Sequence, residues 1–422
     1  MDKRLISDSE WLSDKKLQAL LAALSTEGDE ARVVGGAVRN TLLGQSVTDI
    51  DIATTTEPDE TVRRARGAGF RTAPTGIEHG TVTVIAEGRA YEVTTLRADV
   101  ETDGRHANVT FGRDWRSDAE RRDFTINALY ARADGEIVDL VGGLRDLESQ
   151  TLRFIGDANT RIAEDYLRIL RFFRFFAWYG RGRPDAAGLK ACARHRDGLE
   201  RLSAERVWAE LKKLLSAPDP SRALLWMRQT GVLTKVLPES EKWGIDTIAP
   251  LIETEQTLGW KPEPLLRLAA IIPPDGPRIS ELGKRLRLSN AEKKALSGWA
   301  SAPVAPADLS ESGFRKLAYR AEGEGFLWRL KLALVSARAR ASQDDMALTE
   351  AAGYTRLMKL AEAWQKPAFP INGTDLANLG LEKGKSVGDT LARLEEDWVD
   401  SDFSLKRDAL LERAASIISS AG

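Results

Sequence analysis

The sequence predicts an α+β protein, with a small mixed sheet in the N-terminal part and an all-helical remainder. Two observations support this prediction. Apolar runs of strand length, bounded by glycine turns, are confined to roughly the first 150 residues. From about Asp157 onward, apolar residues recur at helical spacing and strand-like runs are almost absent.

The elements of the N-terminal part follow from local signals. Leucines at helical spacing predict one amphipathic helix over residues 8–26. Residues 31–35 predict a strand that leads through a glycine turn into a helix, and residues 48–53 predict a second strand. Pro58 suits the first turn of another helix. The later elements are a hairpin of residues 80–85 and 90–95, a mobile loop over 99–113 and a short strand over 136–139.

Composition excludes several classes of protein. The chain has 422 residues, of which 42% are hydrophobic and 29% charged, as is ordinary for a globular protein of several domains. Apolar runs long enough for a transmembrane helix and the apolar core of a signal peptide are both missing, so we expect a cytoplasmic protein. A single cysteine, Cys192, excludes an intrachain disulfide and a cysteine zinc site.

Charge is distributed unevenly along the chain. The net charge is −2, yet residues 148–215 contain 14 Lys and Arg against 9 Asp and Glu. A basic central segment in a mildly acidic chain suits a local phosphate-binding surface. For most single arginines, a place on a solvated helix face remains the alternative interpretation.

The first segment that carries chemistry joins a glycine pair to two aspartates. Gly35 and Gly36 follow an apolar strand and open a helix, whose first N–H groups would hold a phosphate. Asp49 and Asp51 alternate with Ile50 on a predicted strand, so their carboxylates should share one side. Such carboxylates repel each other unless a cation lies between them, and Mg²⁺ is the natural choice. Paired aspartates alone are common at strand ends, but this combination indicates nucleotidyl transfer.

A second segment, residues 121–129, places two arginines before an aspartate and an apolar run. Arg122 would clamp a phosphate with its planar guanidinium. We predict that the apolar run forms a buried helix, and that Thr125 and Asn127 fix the turn by bonds to the backbone. The alternative is an ion-paired helix start without a ligand.

A third segment predicts one helix on which Asp165, Arg168, Arg171 and Arg174 recur every three residues. A carboxylate beside a guanidinium matches the amino group and ring nitrogen that cytosine and adenine present, whereas guanine and uracil present the opposite order. The pair Asp165 and Arg168 would accept C and A, because a mismatch leaves a buried polar group unpaired at about 1–3 kcal/mol. Arg171 and Arg174 would then bind phosphates or orient the pair. The alternative is a plain salt bridge between Asp165 and Arg168, with snorkelling arginines.

Taken together, these segments resemble the class II tRNA nucleotidyltransferases, the CCA-adding enzymes of the polymerase-β-like superfamily. The resemblance covers about residues 31–215, and it implies a polymerase-β-like nucleotidyltransferase head followed by a helical neck, body and tail. The matching segments are residues 35–39, 49–51, 121–128, 139–143, 164–174 and 202–206. The expected bounds are 1–26 for an N-terminal helix, 27–146 for the head, 147–217 for the neck, 218–305 for the body and 306–422 for a tRNA-binding tail.

The resemblance also implies roles for single residues. Asp49 and Asp51 would bind two Mg²⁺ ions, one at the 3′-hydroxyl of the primer and one at the triphosphate and the leaving pyrophosphate. Glu92 would be the third carboxylate, with Asp123 as the second choice. The remaining roles are triphosphate contacts from Gly36, Arg39 and Arg122, and reading of the incoming base by Asp165 and Arg168.

Three further positions carry expectations from the family. Residues 103–105 would belong to a flexible loop that helps to switch from C to A addition. Asp139 and the glycines after it would form a springy element between head and neck, and Glu205 would cap or brace a neck helix. The sequence departs from the family pattern at Asn40, where aspartate is usual, and within the loop.

The implied activity is template-independent addition of C, C and A to the 3′ end of tRNA, with tRNA, CTP and ATP as partners and no membrane or obligate protein partner. Three alternatives stay open: a bacterial poly(A) polymerase, an enzyme that adds only CC or only A, and a catalytically inactive RNA-binding protein. The near-neutral stretch 401–422 disfavours the first, the loop disfavours a CC-adding enzyme, and the paired aspartates disfavour the third.

Overall fold

A seven-stranded mixed sheet organises the N-terminal part of the chain. The computed structural model describes residues 5–73, 76, 80–98, 110–241, 243–321, 323–381 and 384–421. The strands are β1 (Ala31–Val34), β2 (Asp51–Thr54), β3 (Arg71–Ala73), β4 (Thr81–Ala86), β5 (Arg89–Thr95), β6 (Arg97–Ala98), β7 (Thr110–Phe111), β8 (Leu129–Ala131) and β9 (Ile137–Asp139). The sheet order is β3–β4–β5–β2–β1–β8–β9, while β6 and β7 form a separate ladder. Among the strand pairs of the described residues, only β2 with β5 is parallel.

Helices cover the sheet and then make up the rest of the chain. Those within and just after the sheet are α1 (Lys15–Leu24), α2 (Gly36–Leu42), α3 (Pro58–Gly67), α4 (Trp115–Glu120) and α5 (Gly143–Glu148). The next group is α6 (Ala158–Glu164), α7 (Leu167–Tyr179), α8 (Ala186–His195), α9 (Ala204–Leu215), α10 (Ser221–Gln229) and α11 (Val232–Val236). The fold is therefore α+β, as the sequence predicts.

The remaining helices all lie beyond residue 247. They are α12 (Ile248–Leu258), α13 (Pro264–Ala269), α14 (Gly276–Arg285), α15 (Asn290–Ser301), α16 (Glu311–Arg320), α17 (Gly325–Arg340), α18 (Asp345–Ala363), α19 (Gly373–Asn378), α20 (Lys385–Asp400) and α21 (Arg407–Ala421). None of the helices in the described part of the chain is long and apolar enough to cross a membrane.

The chain divides into two compact units. The first consists of Met1–Arg206 and Arg222–Val236, and the second of Val207–Ser221 and Leu237–Gly422. In the first unit, a cluster that includes Val34, Ala53, Leu96 and Tyr130 is buried against the sheet. Among the described residues of the second unit, one buried cluster lies around α17 and α18 and another includes Leu394 and Trp398 of α20.

Local signals located most of the N-terminal elements. The hairpin of β4 and β5 and the strands β1 and β9 are confirmed within a residue or two. The helix predicted over residues 8–26 begins only at Lys15, because the Asp14 side chain accepts the N–H groups of Lys16 at 2.8 Å and Leu17 at 2.9 Å and so caps it. In the predicted loop, residues 99–109 lie outside the described residues, and the two residues that follow form β7 instead.

The segment after Arg122 is not the helix that the sequence predicted. Residues Thr125–Asn127 form one turn of 3₁₀ helix, and Leu129–Ala131 form the buried strand β8. This strand lies between β1 and β9 in the sheet, so pairing with distant strands overrides the local apolar pattern. The Thr125 hydroxyl donates to Asp146 Oδ2 at 2.7 Å, and the Asn127 amide donates to Asp123, so both turn residues bind side chains rather than the backbone.

Candidate active site

Two carboxylates lie opposite each other on the central parallel strands. Asp51 opens β2 and is the register partner of Glu92 on β5, while Ile52 is the partner of Val93. Both carboxylates are exposed, and both apolar neighbours are buried. Since successive residues of a strand alternate between the faces of a sheet, Asp51 and Glu92 share one face. The structure thus brings together the predicted metal ligand and the predicted third carboxylate.

Asp49 precedes β2 rather than lying on it, so the predicted strand over residues 48–53 is wrong at its start. The pairing of β2 with β1 stops at Asp51, because β1 ends before Gly35, whose φ of 72° turns the chain out of the sheet. Asp49 is exposed, and its Oδ2 accepts a hydrogen bond of 3.0 Å from the Thr48 hydroxyl.

The charges of this face act on one another. The pKa of Asp51 is raised above its ordinary value, mainly because the surrounding protein removes hydration, and further because of the negative charges of Glu92 and Asp49. Arg122 acts in the opposite direction. Among the described residues, no three metal-ligating side chains are grouped closely enough to hold an ion. Asp49, Asp51 and Glu92 therefore interact electrostatically, but in the described structure they are not grouped as a complete set of metal ligands.

Arg122 is held at this face by Asp118, a buried aspartate outside the set of predicted site residues. Asp118 has no exposed surface, and its Oδ2 lies 3.1 Å from Arg122 Nη2 and accepts the Tyr130 hydroxyl at 2.7 Å. Its Oδ1 accepts Arg121 Nε at 2.8 Å. Burial alone would raise the pKa of Asp118, but the two guanidinium groups lower it below its ordinary value. Asp118 thus stays ionised and fixes Arg122.

The Arg39 side chain is buried and hydrogen-bonded to several other side chains. It lies on α2, and its guanidinium donates to the Asn127 side chain, to Asn40 Oδ1 at 3.0 Å and to the Tyr179 hydroxyl at 2.8 Å. The guanidinium carbon also lies 4.0 Å from the centroid of the Tyr179 ring. Burial lowers the pKa of Arg39 more than Tyr179 raises it. Gly36, the first residue of α2, is close to the Arg39 guanidinium.

Asp123, the second choice for a third carboxylate, is already paired. Arg171 donates to its Oδ2 through Nε at 2.7 Å and Nη2 at 2.5 Å, and Asn127 donates to its Oδ1 at 3.0 Å. Burial would raise the pKa of Asp123, but Arg171 and Asn127 lower it. The network links α7 to the segment that carries Arg122. Arg174, one turn further along α7, lies 4.2 Å above the Phe175 ring.

The predicted ridge of charges is interrupted at its first member. Asp165 is not on α7, because α6 ends at Glu164 and α7 begins at Leu167. The Asp165 carboxylate accepts the Leu167 N–H at 3.0 Å through Oδ1 and Arg206 Nη2 at 2.8 Å through Oδ2. The prediction of one continuous helix is therefore wrong, because Asp165 and Tyr166 separate α6 from α7.

Arg168 has different partners from Asp165. Its Nη1 donates to Glu164 Oε2 at 2.5 Å and to the Arg161 carbonyl at 2.8 Å. Its Nη2 donates to the Arg121 carbonyl at 3.4 Å, which connects α7 to the residue before Arg122. The plain salt bridge between Asp165 and Arg168, considered as an alternative, is therefore not what fixes these two side chains.

The other expected positions differ in how they are placed. Asp139 ends β9 and accepts four backbone N–H groups at the start of α5, from Val141 to Leu144, at 2.9–3.2 Å. Glu205 lies in the first turn of α9. Residues 103–105 lie outside the described residues. Asp139 thus joins the sheet to the first helix after it.

Three contributors to the site were not found from the sequence. Asp118 had a signal, because it precedes Arg121 and Arg122 by three and four residues, the spacing at which helical side chains meet. Tyr179 had none, since its partner Arg39 is 140 residues away. Arg206 lies in the matching segment 202–206, but its contact with Asp165, 41 residues away, had no signal.

Comparison with protein families gives two matches. Residues 31–153 match the model of the poly A polymerase head domain, which spans the sheet and the carboxylates described above. Residues 185–243 match a family described as the probable RNA and SrmB-binding site of polymerase A.

Curated relatives extend over nearly the whole chain. The mitochondrial CCA tRNA nucleotidyltransferase 1 of Mus musculus is 35% identical over 407 residues, which is 94% of this chain and 88% of the mouse protein. The human protein of the same name is 34% identical over 406 residues, with the same two coverages. A CCA-adding enzyme of Leuconostoc mesenteroides is 39% identical over 248 residues, 58% of this chain and 61% of its own length.

Solved structures share the fold. The Bacillus stearothermophilus CCA-adding enzyme in complex with CTP superposes with a TM-score of 0.72 at 23% identity, covering 96% of this chain and 98% of that one. The Thermotoga maritima CCA-adding enzyme complexed with tRNA gives a TM-score of 0.63 at 21% identity, covering 99% and 100%. At these identities the likeness concerns the fold alone.

Proposed function

This chain belongs to the family of CCA tRNA nucleotidyltransferases, and we propose that it adds C, C and A in turn to the 3′ end of tRNA. The substrates would be CTP, ATP and a tRNA whose end is incomplete, and each addition releases pyrophosphate. Among observations of the molecule, the placement of Asp51 opposite Glu92 beside Arg122 carries this proposal, because it puts anionic metal ligands next to a cation suited to a triphosphate.

The carboxylate face suits Mg²⁺. Its oxygen atoms belong to exposed carboxylates, the donor type that this hard cation prefers. The pKa of Asp51 is raised mainly by loss of hydration and further by the negative charges of Glu92 and Asp49, which a bound cation would offset. Asp49 and Asp51 would hold two Mg²⁺ ions, with Glu92 as the third carboxylate. When bound, the metal ions supply activation of the primer hydroxyl and stabilisation of the leaving pyrophosphate.

Asp123 is the poorer third ligand for a physical reason. Both of its oxygens accept hydrogen bonds, and its charge is matched by Arg171. Binding a metal ion through Asp123 would compete with these hydrogen bonds and with the ion pair to Arg171. Glu92 lies opposite Asp51 on the same exposed face of the sheet, and its carboxylate adds to the negative charge there.

The arginines would divide their work between contact and support. Arg122, oriented by Asp118, would contact the triphosphate directly. Arg39 and Arg171 would act mainly by holding α2, α7 and the Asn127 turn in register, because their guanidinium groups already bind Asn127 and Asp123. For Gly36 and Arg174, we propose phosphate contacts on the basis of the family resemblance.

Base choice would come from Asp165 and Arg168. The Asp165 carboxylate can accept a hydrogen bond from the amino group of cytosine or adenine, and the Arg168 guanidinium can donate to the adjacent ring nitrogen. Both side chains are partly exposed near the start of α7, and Arg168 contacts the backbone of Arg121. This contact connects the proposed base-reading end of α7 with the proposed triphosphate contact.

Four expectations stay predictions. They are the division into head, neck, body and tail, the springy element at Asp139, the bracing by Glu205 and the cytoplasmic location. The family does not by itself exclude partial addition, so the test must resolve single steps.

Stepwise extension tests the proposal. Purified protein is given tRNA that lacks its CCA end, with CTP alone, ATP alone or both. We expect two additions with CTP alone and three with both nucleotides, after which extension stops. Long A tracts would identify a poly(A) polymerase instead, and a stop after CC in the presence of ATP would identify a CC-adding enzyme. A tRNA that already ends in CC should accept one A.

A further inference from the structure

Arg206 is bonded to the side chain proposed to read the incoming base. Its Nη2 donates to Asp165 Oδ2 at 2.8 Å across a sequence separation of 41 residues. It lies in the first turn of α9, where the Ser203 hydroxyl accepts its backbone N–H at 3.4 Å. The contact therefore joins the start of one helix to the turn before another.

The Asp165 side chain depends on contacts from other elements for its orientation, because Asp165 lies between two helices. Its backbone has φ −150° and ψ 106°, between α6 and α7, so no helix of its own holds its side chain. One oxygen is fixed by the Leu167 N–H at 3.0 Å, and the other by Arg206. With a single contact, the carboxylate would rotate about that bond; with two, its plane is set.

The bond from Arg206 also leaves Asp165 Oδ2 able to accept a second hydrogen bond. A carboxylate oxygen has two lone pairs, so Oδ2 can accept an amino group of a base while it still accepts Arg206. Side-chain exposure is 36% for Asp165 and 50% for Arg206, so a ligand can reach this oxygen. Arg168, by contrast, is held from the other side by Glu164 and the Arg161 carbonyl.

We propose that Arg206 is a positioning residue for base selection: it fixes the plane of the Asp165 carboxylate so that only an amino group in the cytosine or adenine position finds an acceptor. This inference rests on the proposed role of Asp165. An exposed ion pair contributes little to folding, so the value of this contact lies in orientation rather than in stability.

Selectivity in the full-length protein tests the inference. Single additions to tRNA lacking CCA are measured with CTP and with UTP, and to tRNA ending in CC with ATP and with GTP, giving kcat and KM for each. For Arg206→Ala we expect KM for CTP and ATP to rise and the preference over UTP and GTP to fall about five- to tenfold, as for the loss of one polar contact. The kcat for CTP should stay within about threefold. Arg206→Lys, which keeps a cationic donor, should recover part of the preference.

A double-mutant cycle separates this inference from the proposed function. In an Asp165→Asn background, Arg206→Ala should cause no further loss, because its effect passes through Asp165. Arg194→Ala, at an exposed arginine on α8, is the matched control and should keep full selectivity. If Asp165→Asn itself leaves base choice unchanged, the proposed role of Asp165 fails. If Asp165→Asn relaxes base choice but Arg206→Ala does not, only the inference about Arg206 is overturned. A general loss of kcat without a change in preference, in protein of unchanged melting temperature, would equally overturn it.

Discussion

Asp51 and Glu92 face each other across the only parallel strand pair of the described sheet, with their carboxylates on the same exposed face. Parallel pairing places the start of β2 beside the middle of β5, so a residue that opens one strand meets a residue inside another. Asp49 reaches this face from the segment before the strand, where the sheet does not fix its backbone. Asp51 and Glu92, whose backbones are fixed by strand pairing, therefore form the rigid part of the proposed metal site.

Removing the charge of Asp51 and removing the charge of Glu92 should affect catalysis in different ways. Asp51→Asn should lower the rate of nucleotide addition on the order of 100-fold or more, because it removes charge stabilisation at the reacting phosphate. Glu92→Gln should chiefly raise the Mg²⁺ concentration needed for half-maximal activity. Glu120→Gln, at an exposed carboxylate of α4, is the control. Full activity in the Asp51 variant would refute the metal assignment.

The stability of the metal-free protein should depend on pH through Asp51. Its pKa is raised in the folded protein, so the folded state binds this proton more tightly than the unfolded chain does. The resulting stability is present below the ordinary value of 3.8 and is lost as pH rises through the folded pKa. In EDTA, Asp51→Asn should therefore melt at a higher temperature than the unaltered protein at pH 8, and the difference should shrink towards pH 4. A difference that grows on acidification would contradict this.

Asp118 should matter for both stability and activity. Asp118→Asn leaves Arg121 and Arg122 without their buried counter-charge, which should reduce the free energy of unfolding by about 3 kcal/mol. Activity should fall as well, because Arg122 loses its orientation. Urea unfolding and initial rates measure the two effects. The exposed Glu120→Gln variant should change stability by less than about 0.5 kcal/mol. Unchanged stability in Asp118→Asn would show that the two arginines find other partners.

A buried ion pair in the second unit should be important for stability alone. Arg267 is fully buried, and it donates to Glu255 Oε2 at 2.6 Å and to the Leu215 and Ala217 carbonyls at 2.6 and 2.5 Å. Arg267→Met should lower the free energy of unfolding by about 3–5 kcal/mol, because it strands a buried carboxylate and two carbonyls. Arg285→Met, at a more exposed pair with Glu239, should cost at most about 1 kcal/mol. Equal effects in the two variants would contradict this reading.

The sequence predicted what is local and missed what depends on distant contacts. The hairpin, β1 and β9 follow from alternation and turn residues within a few positions, and all three are confirmed. The break before α7 was missed, because the apolar spacing of residues 164–178 is helical throughout. Asp165 has an extended backbone between the two helices, and its side chain contacts Arg206, which is 41 residues away and which no local pattern indicates.

The same distinction holds within the proposed site. The paired aspartates and the arginines of the second and third segments were located by their order along the chain. Their partners were not, because Arg39 meets Tyr179 and Arg171 meets Asp123 across 140 and 48 residues. Local patterns therefore do not show which arginine side chains are already bonded to other elements of the fold, and this depends on packing between distant residues.

We propose that this protein builds C, C and A on tRNA and selects each base with its own side chains. Sequencing the 3′ ends of a tRNA that lacks CCA, after incubation with the purified protein and all four nucleotides together, tests it most directly. We expect ends that read CCA and no further, with U and G nearly absent. Ends of repeated A, or ends in which all four bases occur at similar frequency, would contradict it.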